Sequence, residues 1–166
     1  MRIKILDNLE ELISLRVMQQ YELHKPKNVG DVKEFRYQVQ NYLRCYGDDS
    51  LHAFVKKNEN TGTIVATCYL KVNDLIPHIN GKPNREGYIC SIYTDPDWRG
   101  KGICEELIIE ALAFSKFCGC RKVGIDTVNP AILKLCERHD FKPSEKSFIR
   151  SVDSVSYTHL TLPTIA

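Results

Sequence analysis

The stretch Tyr88-Ile-Cys-Ser-Ile-Tyr-Thr94, continued by Asp95-Pro96-Asp97-Trp98-Arg99-Gly100-Lys101-Gly102-Ile103-Cys104, decides how this chain is read. The first part has the apolar, β-branched and aromatic content of a strand. Ile103 to Phe117, which follows, has the periodicity of an amphipathic helix. Between them, Arg99 to Gly102 holds two glycines, two cations and no hydrophobic residue. Glycine lets a ligand come close to the main chain. The first N–H groups of a helix have no partner within that helix. A strand, a basic glycine loop and a helix N-terminus together make an anion site, suited to phosphate. The plainer reading is a basic βα turn.

Two familiar phosphate loops are excluded. No Gly-x-x-x-x-Gly-Lys-Ser/Thr run occurs, and Gly100 and Gly102 are followed by Glu105 where a dinucleotide fingerprint needs a third glycine. The loop instead resembles the acyl-CoA pyrophosphate loop of the GCN5-related N-acetyltransferase (GNAT) family, whose signature is Arg/Gln-x-x-Gly-x-Gly/Ala. Here it reads Arg99-Gly-Lys-Gly102-Ile-Cys104, with Cys in the last place. A second family motif, Asn-x-x-Ala-x-x-Leu-Tyr-Glu-x-x-Gly-Phe, is similar to Asn129-Pro-Ala-Ile-Leu-Lys-Leu135-Cys136-Glu137-Arg-His-Asp140-Phe141. Cys136 stands for the Tyr and Asp140 for the Gly. The resemblance spans roughly residues 2 to 152.

Working outward, Arg2 to Leu6 reads as a first strand. Asp7 with Glu10 signals a helix to about Leu23, and Asp31 with Glu34 signals a second, ending at Gly47-Asp48-Asp49. The Lys25-to-Gly30 run is a break between them. Leu51 to Lys57 and Thr63 to Val72 read as a hairpin around Asn58-Glu-Asn-Thr-Gly62. Leu75 to Glu86 reads as a loop. After the Ile103 helix, Gly119 is a stop. Lys122 to Val128 is a strand, Asn129-Pro130 opens a fourth helix, and Phe141 to Pro143 and Lys146 to Val152 close as short strands. The pattern is α/β with a right-handed crossover around the loop. The resemblance implies a single GNAT-like domain over residues 1–153, with a mixed, mostly antiparallel central sheet flanked by about four helices.

Residues Val155 to Thr164 resemble the translation of a sequencing-library adapter, so 154–166 are expected to be a non-native tail. The 166 residues suit one domain, and 43% hydrophobic with 27% charged content is ordinary for a soluble protein. The net charge of +2 gives no argument for nucleic acid, and no apolar run is long enough for a membrane span. With no signal-peptide pattern at Met1, the expected location is cytoplasmic. Seven scattered cysteines do not form a disulfide framework, and Cys118-Gly-Cys120 lacks the second pair or histidine of a metal site.

The resemblance implies an N-acetyltransferase, with acetyl-CoA as acyl donor, a small-molecule or peptide amine as acceptor, and no metal. It also allows a homodimer. The amine would attack the thioester directly. Carried over residue by residue, Ile92, Tyr93 and Thr94 would pair with the pantetheine arm. Arg99, Gly100, Lys101, Gly102, Ile103 and Cys104 would hold the pyrophosphate, with Asn129 nearby. Proton donors to the leaving thiolate are Cys136, Tyr93 or solvent. Glu86, at the mouth of the strand, and Asp126 are the candidate bases. The basic residues Lys25, Lys27, Lys82 and Arg85 favour an acceptor carrying a carboxylate or phosphate. The alternative is an acyl-CoA-binding module with little or no turnover, supported by Cys136 and by the lack of an evident base.

Overall fold

The computed structural model describes residues 1–24, 29–77 and 84–143. The chain divides into two compact units, Met1–Val128 and Asn129–Ala166. Lys25, Lys27, Lys82, the strand expected at 146–152 and the tail at 154–166 lie outside the described residues.

The first unit runs β1 (Arg2–Ile3), α1 (Leu9–His24), α2 (Val29–Tyr46), β2 (Leu51–Lys57), β3 (Ile64–Asp74), β4 (Arg85–Thr94), α3 (Ile103–Phe117) and β5 (Cys120–Ile125). One five-stranded sheet has the order β1-β2-β3-β4-β5. The first three pairings are antiparallel and β4–β5 is parallel. A parallel pair needs a crossover, and α3 supplies it. The mixed, mostly antiparallel sheet expected from the chain order is thus present.

The central strand β3 is buried from Ile64 to Leu70, because helices cover both faces of the sheet. On one face, Leu12, Ile13 and Val17 of α1 join Leu43 of α2 and Leu51, Ala53, Val55, Tyr69 and Tyr93 of the strands in one cluster. On the other, α3 packs against β2 to β5 and buries Ile103, Leu107, Ile108 and Ala111. These follow the i, i+4, i+5, i+8 spacing of a single helix face. Phe114 extends that face, meeting Phe54 edge-on at 5.8 Å and His52 at 4.7 Å.

Several boundaries differ from the sequence reading. Asp7 does not cap α1; it lies in a 3-10 turn, Leu6–Asn8. The chain there is held by Asp48, whose carboxylate accepts from the Ile5 and Leu6 amides at 2.9 and 3.3 Å. Asp31 falls inside the first turn of α2, not before it. β4 begins at Arg85, so Arg85 and Glu86 belong to a strand and not to the preceding loop. The hairpin at 58–62 closes as expected, with the Gly62 amide donating to the Asn58 carbonyl at 2.8 Å and Gly62 at φ 73°.

The second unit is described over 129–143. Asn129 caps α4 (Pro130–Arg138), its side chain accepting from the Ala131 amide at 2.9 Å. Asp140 takes φ 60°, the left-handed turn the family motif gives to Gly. Phe141 to Pro143 is not a strand.

Candidate active site

The site is built where β4 outruns β5. β4 pairs with β3 along its length, from Arg85 to Thr94. Its other edge pairs with β5 only as far as Ile89, opposite Ile125. Cys90 to Thr94 therefore have a ladder on one side only.

A bulge lies in the same segment. Tyr69 faces Cys90 and Thr67 faces Tyr93, so Cys68 alone on β3 spans Ser91 and Ile92 on β4. Two residues against one is the signature of a β-bulge, and bulges re-aim backbone groups. Ser91 sits at φ 50°, a region L-residues avoid. On the α1 side, the Gln19 side-chain N–H donates to the Ile92 carbonyl at 2.8 Å. The Thr94 hydroxyl oxygen is buried without a hydrogen-bond partner.

The loop leaves Thr94 through a 3-10 turn, Pro96–Trp98, in which Asp95 accepts from the Asp97 amide at 3.0 Å. Gly100 and Gly102 both take φ 75°, and a Cβ at either would meet nothing within 4 Å. Gly102 is the residue before α3 and brings no side-chain cap to it. The two glycines and the start of α3 form an open cradle of backbone groups with room for an anion. The positive end of the helix dipole adds to it.

The two cations of the loop are exposed, and each turns back onto protein groups. Arg99 forms a two-pronged ion pair with Glu22 of α1 at 2.7 Å and donates from Nε to the Thr94 carbonyl at 2.9 Å. Lys101 donates to the Asp97 carbonyl at 3.2 Å and lies 4.6 Å over the Trp98 ring. Each stands at the cradle but already has a partner.

Of the expected acid–base groups, Tyr93 is buried in the cluster under α1, and burial pushes its phenol up. Glu86 is held by Lys122 at 2.9 Å. It lies three residues before Ile89, roughly 10 Å back along the strand. Burial also pushes the Cys136 thiol up, so it stays neutral near pH 7.

Sequence reasoning did not single out Tyr88. Its hydroxyl donates to Asp126 at 3.0 Å, one residue past the end of β5, where the two strands part. It also missed Arg16, Gln19 and Glu22. Their i, i+3, i+6 spacing is a polar stripe on α1, which by itself reads as a solvated face.

Behind the bulge is a cavity of about 340 Å³ between α1, α2 and the sheet. Arg16, Phe35, Tyr42, Tyr69, Cys90 and Ser91 are among its walls. Among the described residues, no group of three or more His, Cys, Asp or Glu could hold a metal. No helix among them is long and apolar enough to cross a membrane.

The model of the acetyltransferase (GNAT) family matches residues 12–141, which include the bulge, the cradle and α4. The chain belongs to the GNAT family. Solved structures share this GNAT fold. A predicted acetyltransferase from Clostridium acetobutylicum, solved with acetyl-CoA, is 20% identical with a TM-score of 0.70, covering 91% of this chain and 94% of the other. A GCN5-related N-acetyltransferase from Ralstonia eutropha is 21% identical with a TM-score of 0.69, covering 91% and 96%. Glucosamine-6-phosphate N-acetyltransferase from Arabidopsis thaliana is 24% identical with a TM-score of 0.59, covering 91% and 94%. No curated protein sequence matches this GNAT chain.

Proposed function

We propose that this GNAT chain transfers an acetyl group from acetyl-CoA to a primary amine by direct attack on the thioester. The observation that carries the reading is the continuity of the half-paired bulge at Ser91–Thr94 with the glycine cradle at Gly100–Gly102. A strand edge with no ladder past Ile89, its Ile92 and Thr94 carbonyls held by the Gln19 and Arg99 side chains, suits an amide-bearing arm, and the cradle one 3-10 turn later suits its phosphates.

Acetyl-CoA supplies an activated carbonyl on a good leaving group. The backbone from Ile92 to Thr94 orients the donor, and the buried Thr94 hydroxyl is an additional polar group there. Arg99 to Cys104 bind the pyrophosphate. The nitrogen–carbon bond forms as the carbon–sulfur bond breaks. The amine gives up one proton and the leaving sulfur takes one. We assign the first transfer to the Tyr88–Asp126 pair at the fork, the Tyr88 oxygen taking the amine proton as its own proton passes to the Asp126 carboxylate, with Glu86 acting only through water. Tyr93, protonated at neutral pH, is the donor proposed for sulfur.

The test is the melting temperature of the chain with and without acetyl-CoA, for the wild type and Gly102→Glu. A ligand at 100 times its dissociation constant adds about 2.7 kcal/mol. The expected result is a rise in the wild type that disappears in a folded variant, together with thiol release on addition of an amine. A folded wild type with no rise sinks the acyl-CoA reading. A rise without thiol release on any amine favours a binding module.

A further inference from the structure

We infer that the cavity between α1 and α2 takes the acceptor, and that the acceptor is a short amine carrying a carboxylate or phosphate, which Arg16 binds. The inference rests on the acetyl-transfer reading for the role of the amine, but not for the anion site itself.

Arg16 lines the cavity, and among the described residues no carboxylate lies within ion-pair distance of it. Its guanidinium is held by neutral groups of its own helix. The Gln19 side-chain oxygen accepts from it, and the Gln20 side-chain oxygen, in the orientation that satisfies both groups, accepts at 3.0 and 3.3 Å. Phe35 lies under it at 5.9 Å. Burial lowers the Arg16 pKa from its ordinary value, the mark of a cation short of counter-charge. The cavity walls include no Asp or Glu. Lys71, which is not one of the walls and has the Asp49 carboxylate near it, rests 3.6 Å from the centre of the Tyr46 ring and 5.8 Å from that of the wall residue Tyr42, and donates to Ser50 at 2.7 Å. Such a pocket repels a polyamine and attracts an anion. A planar guanidinium with open donors suits the paired oxygens of a carboxylate or phosphate.

The spacing fixes the size. Gln19 accepts from Arg16 with its oxygen and donates to the Ile92 carbonyl with its nitrogen. One amide group thus spans the gap between the anion site and the bulge. An acceptor that places its anion on Arg16 and its amine at Ser91–Ile92 has only a few bonds between them.

The experiment is calorimetric titration of the full chain, free and loaded with CoA, with two matched pairs. These are β-alanine against β-alaninamide, and 2-aminoethyl phosphate against ethanolamine. The anionic member of at least one pair is expected to bind 10-fold or more tightly than its neutral partner, and which pair shows it separates carboxylate from phosphate. Arg16→Gln is expected to erase that preference with CoA affinity unchanged, and Arg16→Lys to retain part of it. A melting curve checks that each variant folds. Equal binding of both members, no binding by any probe, or a preference that survives Arg16→Gln overturns the inference. Anion preference in a chain that does not bind CoA leaves the inference standing and removes the acetyl-transfer reading instead.

Discussion

Arg99 and Glu22 grip each other through two contacts of 2.7 Å, and the same guanidinium donates to the Thr94 carbonyl. A loop cation is thereby pinned to α1 and to the end of β4 before any ligand arrives. Its charge is offset, while its geometry is fixed.

That pairing predicts the effect of Glu22→Gln. Both side chains are a little under half exposed, so the pair is worth no more than about 1 kcal/mol. Removing the carboxylate is expected to tighten acetyl-CoA binding by roughly 2- to 5-fold, read by calorimetry, with the gain shrinking at high salt. The pH behaviour has a definite sign. The Arg99 hydrogen bond holds the Glu22 carboxyl below the usual carboxylate range, so the pair's contribution to stability is present above that range. It is lost as pH falls below it, through the depressed pKa. A weakening of acetyl-CoA binding in Glu22→Gln would mean that the carboxylate positions Arg99 more than it competes for it.

Ser91 carries strain of a testable size. A left-handed backbone costs an L-residue roughly 1–2 kcal/mol, and β-branched residues suffer most. Ser91→Gly should leave stability unchanged or raise it by up to about 1 kcal/mol. Ser91→Val should lower it by about 1–2 kcal/mol, seen in the denaturant midpoint. A Val variant as stable as wild type would show that the bulge is not needed in the form described.

Tyr88→Phe removes one hydroxyl and little packing. If the Tyr88–Asp126 pair handles the amine proton, kcat should drop about 100-fold, within the range for general acid–base groups. The melting temperature should hold, because the lost hydrogen bond is partly exposed. Burial, aided by the hydrogen bond to Asp126, pushes the phenol up, so the hydroxyl is protonated across neutral pH. An unchanged kcat would return the base role to Glu86 or to solvent.

What could be read without the structure was local. The apolar spacing of Ile103, Leu107, Ile108 and Ala111 marked α3, because a helix face repeats every 3.6 residues whatever packs on it. Gly62, Gly102 and Gly119 marked turns because each takes φ 73–75°, where side chains are disfavoured. Asn129-Pro130 marked the start of α4 because cap and first-turn chemistry involve only neighbours in sequence.

What only the tertiary structure decided joins residues far apart in the chain. Asp7 resembled a cap, yet it falls inside a 3-10 turn, and Asp48, brought across the fold, holds the chain just before it through the Ile5 and Leu6 amides. Arg85 and Glu86 looked like loop residues after Pro83, but β3 and β5 recruit them into β4. The unpaired edge of β4 follows from where β5 ends, and its bulge from a register with β3 that no composition encodes. Arg16, Gln19 and Glu22 read as a solvated stripe because helical periodicity reports which residues share a face, not what stands opposite. The fold was legible because hydrophobic period and turn chemistry are short-range. The site was only partly so, because ion pairs and cavities depend on which distant segments meet.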